Sequence, residues 1–211
     1  MTAIFGSCEM LAEDFPLSEE QGPYLSLIKS SAGHIHHLIE DILDFSRLEA
    51  GKLELRLEAV DFAALANEII ELLTPLLREK KLRLSTHFGN LPLVLADPVR
   101  LRQVLLNLLS NAVKFTSLEG NIEIAAKAES SILLVEVRDD GIGIPPEYQG
   151  EIFERFKQVR QLNPKGTRIQ KGTGLGLPIS RFLVELHGGK IDVDSIPGEG
   201  ATFHFSIPLA P

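Results

Sequence analysis

The sequence predicts an α+β chain: a helical hairpin followed by a two-layer α/β sandwich. Two observations carry this. Leu25, Ile28, Ala32, Ile35, Ile39 and Ile42 recur at alternating spacings of three and four, a coiled-coil-like seam. After Gly51 the apolar period changes to two, and from there short alternating segments mix with helical ones. Several of these strands follow one another closely enough to be antiparallel, which favours helices layered on a sheet.

Each element has its own local reason. Thr2–Glu13 is a short helical pattern with Ile4, Phe5, Cys8, Leu11 and Ala12 on one side, broken by Asp14-Phe-Pro16. Ser18-Glu-Glu-Gln21 is a capping box, and the helix it opens is widened on its apolar side by Leu38 and Phe45 and stopped at Gly51. Leu53, Leu55 and Leu57 alternate with charged residues, predicting a strand with one buried face. The domain boundary is placed there, giving 1–52 and 53–211.

Asp61 caps a helix over Phe62–Arg78 with a core stripe of Leu65, Ile69, Leu72, Leu73 and Leu76; Pro75 is expected to kink or shorten it. Leu82–Phe88 and Leu93–Leu95 are strands, and Asp97-Pro98 marks N-cap and N1 of a helix through Thr116. Asn121–Lys127, Ile132–Val137, Lys190–Asp194 and Ala201–Ile207 are further strands, and Gly174–His187 is the last long helix.

Composition excludes several function classes. The net charge of −8 over 211 residues argues against non-specific nucleic-acid binding, which needs Lys and Arg to neutralise phosphates. One cysteine, Cys8, excludes an internal disulfide framework and suits a cytosolic protein. A hydrophobic content of 44% suffices for a core. No apolar run approaches the roughly 20 residues that span a bilayer, and the N-terminus lacks the basic-then-apolar order of a signal peptide.

The chemistry concentrates in three places. On the helix Arg100–Thr116, Arg100, Gln103, Asn107, Asn111 and Lys114 share one stripe, opposite Leu101, Val104, Leu105, Leu108, Ala112 and Phe115. An amide oxygen can ligate Mg²⁺, which keeps phosphate and water as its other ligands, and a lysine one turn on can reach phosphates. Taken alone the stripe fits a solvated helix face equally well. Downstream, Asp139 leads from a strand into Gly141 and Gly143, a carboxylate able to accept from an exocyclic amine beside backbone that a flat ligand can approach. Gly172, Gly174, Leu175 and Gly176 then open a helix whose unpaired N–H groups suit phosphate. Each glycine string alone is an ordinary turn; the three elements in this order make a joint signal.

With those residues in place the resemblance is plain. Asn107-Leu-Leu-Ser-Asn111-Ala-Val-Lys114-Phe resembles the N box of the two-component sensor histidine kinases, Asp139-Asp-Gly141-Ile-Gly143 their G1 box, Phe153-Glu-Arg-Phe156 their F box and Gly172-Thr-Gly174-Leu-Gly176-Leu their G2 box. The resemblance covers essentially the whole chain. It implies a histidine-kinase-like ATPase fold, a mixed sheet with helices on one side. It implies ATP and Mg²⁺ as cofactors and phosphoryl transfer to a histidine nitrogen, with no residue of this chain named as catalytic. Asn111 would hold Mg²⁺, Lys114 would meet the phosphates and Asp139 would accept from the adenine amine. Gly141 and Gly143 would seat the adenine, and Gly172, Gly174 and Gly176 would shape a hinge and the phosphate-facing helix start. Phe153 and Phe156 would anchor a lid.

The same resemblance makes 1–52 half of a dimeric four-helix bundle, and names a second copy and a response-regulator receiver domain as partners. An intramolecular helical pair packed on the rest of the chain is the alternative. The expected location is the cytoplasm, within either a membrane-bound or a soluble sensor.

Departures from the family pattern qualify this. The phosphoacceptor histidine belongs in a His-Glu-x-x-Thr-Pro-like motif whose following residues resemble Met1-Thr-Ala-Ile, so the chain is expected to begin just after it. None of His34, His36, His37, His87, His187 or His204 has a matching context. His34, His36 and His37 make a poor metal site, because His36 and His37 diverge by about 100° on a helix. Lys171 stands where a glycine is usual, and Pro178 where a small residue is usual. Residues 157–171 carry Lys157, Arg160, Lys165, Arg168 and Lys171 and no acid, which fits either a solvated loop or a lid. In the related ATPases of the Hsp90, gyrase B and MutL type, the residue four before the metal-binding Asn is a water-activating glutamate. Asn107 cannot be a general base, which favours transfer to a protein over hydrolysis. A serine kinase or ATPase of the same fold, and a nucleotide-binding scaffold, remain the competing functions.

Overall fold

The computed structural model describes residues 53–157 and 173–211, together with residues 6–8, 10, 11, 21, 22, 24, 25, 27, 28, 31–33, 35, 39 and 43. The chain divides into two compact units, Met1–Leu53 and Glu54–Pro211. In the first unit the described residues up to 43 are helical. Cys8 and Ala32 are buried, whereas Ile28, Ile35 and Ile39 of the seam are exposed. Ser18, Glu19 and Glu20 of the capping box, the Gly51 stop, Ile42 and His34, His36 and His37 lie outside the described residues, and Gln21 is helical.

The second unit is an α+β sandwich with the mixed sheet the resemblance implies. In chain order it runs β1 (Glu58–Val60), α1 (Phe62–Glu79), β2 (Arg83–Phe88), β3 (Val94–Ala96), α2 (Pro98–Phe115), β4 (Asn121–Glu129) and β5 (Ile132–Asp139). Then come the short α3 (Pro146–Gln149), a 3-10 turn at Glu151–Phe153, α4 (Gly176–Leu186), β6 (Ile191–Ile196) and β7 (Gly200–Pro208). The main sheet is ordered β2-β4-β5-β7-β6, with β2 parallel to β4 and the other pairs antiparallel. β1 and β3 form a separate antiparallel pair.

Period two decides the buried face. Ile122, Ile124 and Ala126 of β4, Leu133, Val135 and Val137 of β5, and Phe203, Phe205 and Ile207 of β7 are all buried. Phe62, Ile69, Leu101, Leu105, Leu108 and Leu109 of α1 and α2 are buried with them. The Phe62 ring meets Phe88 and Phe205 edge-on, with centroids 5.8 and 6.5 Å away.

Three local expectations are corrected. Residues 53–57 form no strand: Arg56 N–H donates to the Asp97 carboxylate at 3.0 Å instead of joining a ladder, and pairing begins only at Glu58. On α1 the core stripe is Phe62, Leu65, Ala66, Ile69, Leu73 and Leu77, while Leu72 and Leu76 face solvent at 64% and 48% exposure. Pro75 lies on that exposed side, so the carbonyl it strands is reached by water, and α1 continues to Glu79.

Helix α2 is tied at both ends. At its start, Asp97 Oδ1 accepts from Val99 and Arg100 N–H at 3.0 and 3.2 Å. The Asp97 N–H donates to Nε2 of buried His187 at 3.0 Å, and His187 Nδ1–H donates to the Leu183 carbonyl at 2.7 Å. These partners fix the neutral Nδ1–H tautomer. At the other end the Lys80 ammonium donates to the carbonyls of Val113, Lys114 and Thr116 at 2.8, 2.9 and 3.2 Å, capping the negative end of the helix. Partial burial holds the Lys80 pKa below the usual lysine range, with Glu79 opposing. Among the described residues no helix is long and apolar enough to cross a membrane.

His187→Leu keeps the packing volume but leaves the Asp97 N–H without its acceptor. We expect urea unfolding to report a loss of about 1–3 kcal/mol; an unchanged midpoint and slope would contradict the role given to this contact.

Candidate functional site

The site is built on α2. Its stripe residues Asn107, Asn111 and Lys114 are each half-buried. Two glycine segments far apart in sequence close onto this helix. A Cβ at Gly141 would lie 2.6 Å from the Phe115 carbonyl oxygen, so the loop after β5 rests on the last turn of α2. A Cβ at Gly176 would lie 2.3 Å from Asn107 Oδ1, so the first residue of α4 rests on its middle. At 141 the atom met is backbone, so no other residue type allows that approach; at 176 a side chain would have to push the Asn107 amide aside.

Asp139 belongs to the core face of β5. It is the next inward position after Leu133, Val135 and Val137, and only 6% of it is exposed. Oδ1 accepts from Gly141 N–H at 2.9 Å. Burial pushes the carboxyl pKa up to about 6, backbone N–H bonds from Gly141 and Ala201 pull it down, and nearby Asp140 raises it further. This group sits at the protein's interior edge and changes charge near neutral pH.

The loop Asp140–Pro145 is pinned from outside the glycine motif. Gly143 has φ +67°, and a Cβ there would lie 2.1 Å from the Ile196 carbonyl oxygen. Ser195 Oγ accepts from Ile144 N–H at 2.8 Å and donates to the Gly200 carbonyl at 2.6 Å. Gln149 Nε2 donates to the carbonyls of Ile144 and Ser195 at 2.9 and 2.7 Å.

At the start of α4, Leu175 is buried and takes the cap position, its N–H donating to Thr173 Oγ1 at 3.0 Å. The Asn107 amide N–H₂ donates to Oγ of buried Ser180 at 2.8 Å. Among the described residues, nothing hydrogen-bonds the Asn111 side chain. The Lys114 ammonium lies 5.0 Å from the Phe115 ring centroid, and burial holds its pKa below the usual lysine range.

The structure thus gathers Asn107, Asn111, Lys114, Asp139, Gly141 and Gly176 on or against one helix. Leu175 precedes Gly176 as the cap of α4, Gly143 packs on Ile196 instead, and the Gly174 carbonyl accepts from Phe156 N–H at 3.0 Å. Gly172 and the cations Arg160, Lys165, Arg168 and Lys171 lie outside the described residues. Lys157 is described, and its ammonium pairs with Glu151 at 2.8 Å on the surface. Phe153 packs edge-on to Phe203 at 6.4 Å and lies 5.5 Å from the Arg181 guanidinium. Phe156 does not: its ring is 67% exposed, and it contributes its backbone, at φ +59°, instead. Sequence reasoning missed Ser180, Ser195 and Gln149. Each is an ordinary helix or strand residue whose partner lies far along the chain, so no local signal marks it.

Residues 96–211 match the family model described as histidine kinase-, DNA gyrase B- and HSP90-like ATPase, and residues 1–51 match the His Kinase A phosphoacceptor domain. The chain is 42% identical to the circadian input-output histidine kinase CikA of Synechococcus elongatus, over 99% of this chain and 28% of that protein. The structure of full-length ShkA in complex with AMPPNP superposes with a TM-score of 0.80 at 36% identity, covering 98% of this chain and 42% of that one. Histidine kinase ThkA in complex with response regulator protein TrrA gives 0.70 at 25% identity, covering 100% and 57%. The chain spans 28%, 25% and 23% of the length of three curated relatives it matches. Two family models in sequence, and relatives that are histidine kinases along nearly all of this chain, place it: it belongs to the two-component sensor histidine kinases, with a catalytic ATP-binding domain of the histidine kinase-, DNA gyrase B- and HSP90-like type.

Proposed function

We propose that this chain carries the ATP-dependent phosphoryl-transfer step of two-component signalling, donating to a protein histidine. The observation that supports it most is the closure of both glycine segments, Gly141 and Gly176, onto the single helix that carries Asn111 and Lys114. In this reading 53–211 is the catalytic unit. Residues 1–52 pair with a second copy, and a response-regulator receiver domain takes the phosphoryl group onward. The helical, exposed Ile28, Ile35 and Ile39 suit such a pairing.

The residues fit an adenine nucleotide. Asp139 offers a buried acceptor to an exocyclic amine, and Gly141 lets the loop that carries it close onto the last turn of α2. Lys114 offers a cation for phosphate. Among the described residues no three His, Cys, Asp or Glu side chains are placed to hold a metal, so Mg²⁺ here would rely on the Asn111 amide and the nucleotide's own oxygens. Bound Mg·ATP supplies the phosphoryl group and the neutralisation of its charge. Asn107, a neutral amide already donating to Ser180, offers no base to a water, which supports transfer over hydrolysis.

Asn111→Ala is expected to weaken Mg·ADP binding at least about tenfold while leaving adenosine binding nearly unchanged. Calorimetry with both ligands checks this, and equal affinity for Mg·ADP would remove Asn111 from the site.

The Asp139 carboxylate accepts from the amine more strongly than the neutral acid does, so its pKa of about 6 makes Mg·ADP affinity rise with pH through that value. Asp139→Asn should bind weakly and lose this pH dependence. Comparing the two profiles subtracts the nucleotide's own titration, and parallel profiles would contradict the assignment.

Without nucleotide the sign reverses for stability. The folded carboxyl holds its proton more tightly than the unfolded one, so its contribution is complete below about pH 4 and is lost, by about 3 kcal/mol, as pH rises through about 6. Urea melts across that range should show wild-type stability falling relative to Asp139→Asn. A constant difference would contradict it.

A further inference from the structure

We propose that Ser180 is a positioning residue for the phosphate side of the nucleotide site: its hydroxyl holds the Asn107 amide so that α4 keeps one register against α2. The inference rests on the nucleotide-binding reading above.

Apart from the His187–Asp97 contact at the far end, the faces that α2 and α4 bury beside this pair are apolar. Leu101, Leu105 and Leu108 on one helix and Ile179, Leu183 and Val184 on the other are almost fully buried. Apolar faces tolerate sliding and rotation, because one methyl replaces another at little cost. A single polar pair does not. Ser180 is 1% exposed, and its Oγ takes a 2.8 Å bond from Asn107 Nδ2. Any slip of α4 by part of a turn would leave a buried hydroxyl and a half-buried amide unpaired.

The contact also fixes which way the amide points. With Nδ2 on Ser180, Oδ1 faces Gly176, one turn earlier on the same helix. The 2.3 Å from Oδ1 to a notional Cβ at 176 leaves no slack on that side. Asn107 is therefore gripped between residues 176 and 180 of α4. The start of α4, where Gly176 opens the helix, is the end of α4 that lies toward Asn111 and Lys114, because Asp97 at the start of α2 meets His187 at the end of α4. A buried polar pair that sets register in an apolar seam is a known way to specify one arrangement of two helices. Here the arrangement specified is the one that brings phosphate-facing groups from two segments to one place.

The test uses the full chain, titrated calorimetrically with Mg·AMPPNP and, separately, with adenosine. Ser180→Ala is expected to weaken Mg·AMPPNP about tenfold and to leave adenosine, which has no phosphates, unchanged. Ser180→Cys keeps the side-chain volume with a weaker acceptor and should fall between the two. In an Asn107→Ala background, adding Ser180→Ala should change affinity by less than about twofold, because the partner is already gone.

Wild-type affinity in Ser180→Ala, equal losses for both ligands, or fully additive losses with Asn107→Ala would each overturn the inference. Asn111→Ala separates the two levels. If it loses Mg·AMPPNP while Ser180→Ala does not, the positioning role fails alone. If neither loses it, the nucleotide site itself is misplaced.

Discussion

Helix α2 is held by polar contacts at its start, its middle and its end, and at each of the three a partner comes from distant sequence. At the start, Asp97 caps the first turn while its own N–H is bonded to His187, at the far end of α4. In the middle, Asn107 is bonded to Ser180. At the end, Lys80 on the turn after α1 closes three carbonyls. Hydrophobic burial pulls α2 against the sheet but is indifferent to small shifts along the axis. The directional bonds remove that freedom. Asn111 and Lys114 matter only at fixed distances from the loop after β5 and the start of α4, so these three contacts are the condition for having a site at all.

The second constraint is electrostatic. Period two in β5 carries the core face one residue too far for comfort and places a carboxylate where the pattern calls for an apolar side chain. Burial works against the charged form; the N–H groups of Gly141 and Ala201 partly compensate. In the free protein this is a local loss of stability. In the proposed nucleotide complex the same group would be a dry, oriented acceptor, worth more there than at the surface. Functional sites commonly carry strain of this kind, which is paid for elsewhere in the core.

What was legible in the sequence is what local rules govern. The Asp97-Pro98 helix start, the strand pairs and the polar stripe of α2 follow from capping and periodicity, and the order of the boxes identified the family before any coordinates. What was not legible needed tertiary context. Leu53, Leu55 and Leu57 alternate like a strand, but their backbone meets an Asp97 carboxylate instead of a neighbouring strand. Leu72 and Leu76 look like core until Phe62, Ala66 and Leu77 set the phase of α1. Lys80, His187, Ser180 and Ser195 act across 33, 90, 73 and 51 residues, the first as a donor and the others as acceptors, at positions where nothing local distinguishes a structural polar side chain from a solvated one.

The proposed function makes α2, the loop after β5 and the start of α4 a phosphoryl-donating site whose acceptor is a protein histidine in a His-Glu-x-x-Thr-Pro-like motif. The most direct measurement supplies γ-labelled ATP and Mg²⁺ to the chain, first alone and then with a separate helical-hairpin domain bearing that motif. The account predicts no acid-labile label on this chain alone and acid-labile label on the added domain. Label appearing on this chain itself, or Mg·ATP bound with none passed to the added histidine, would contradict it.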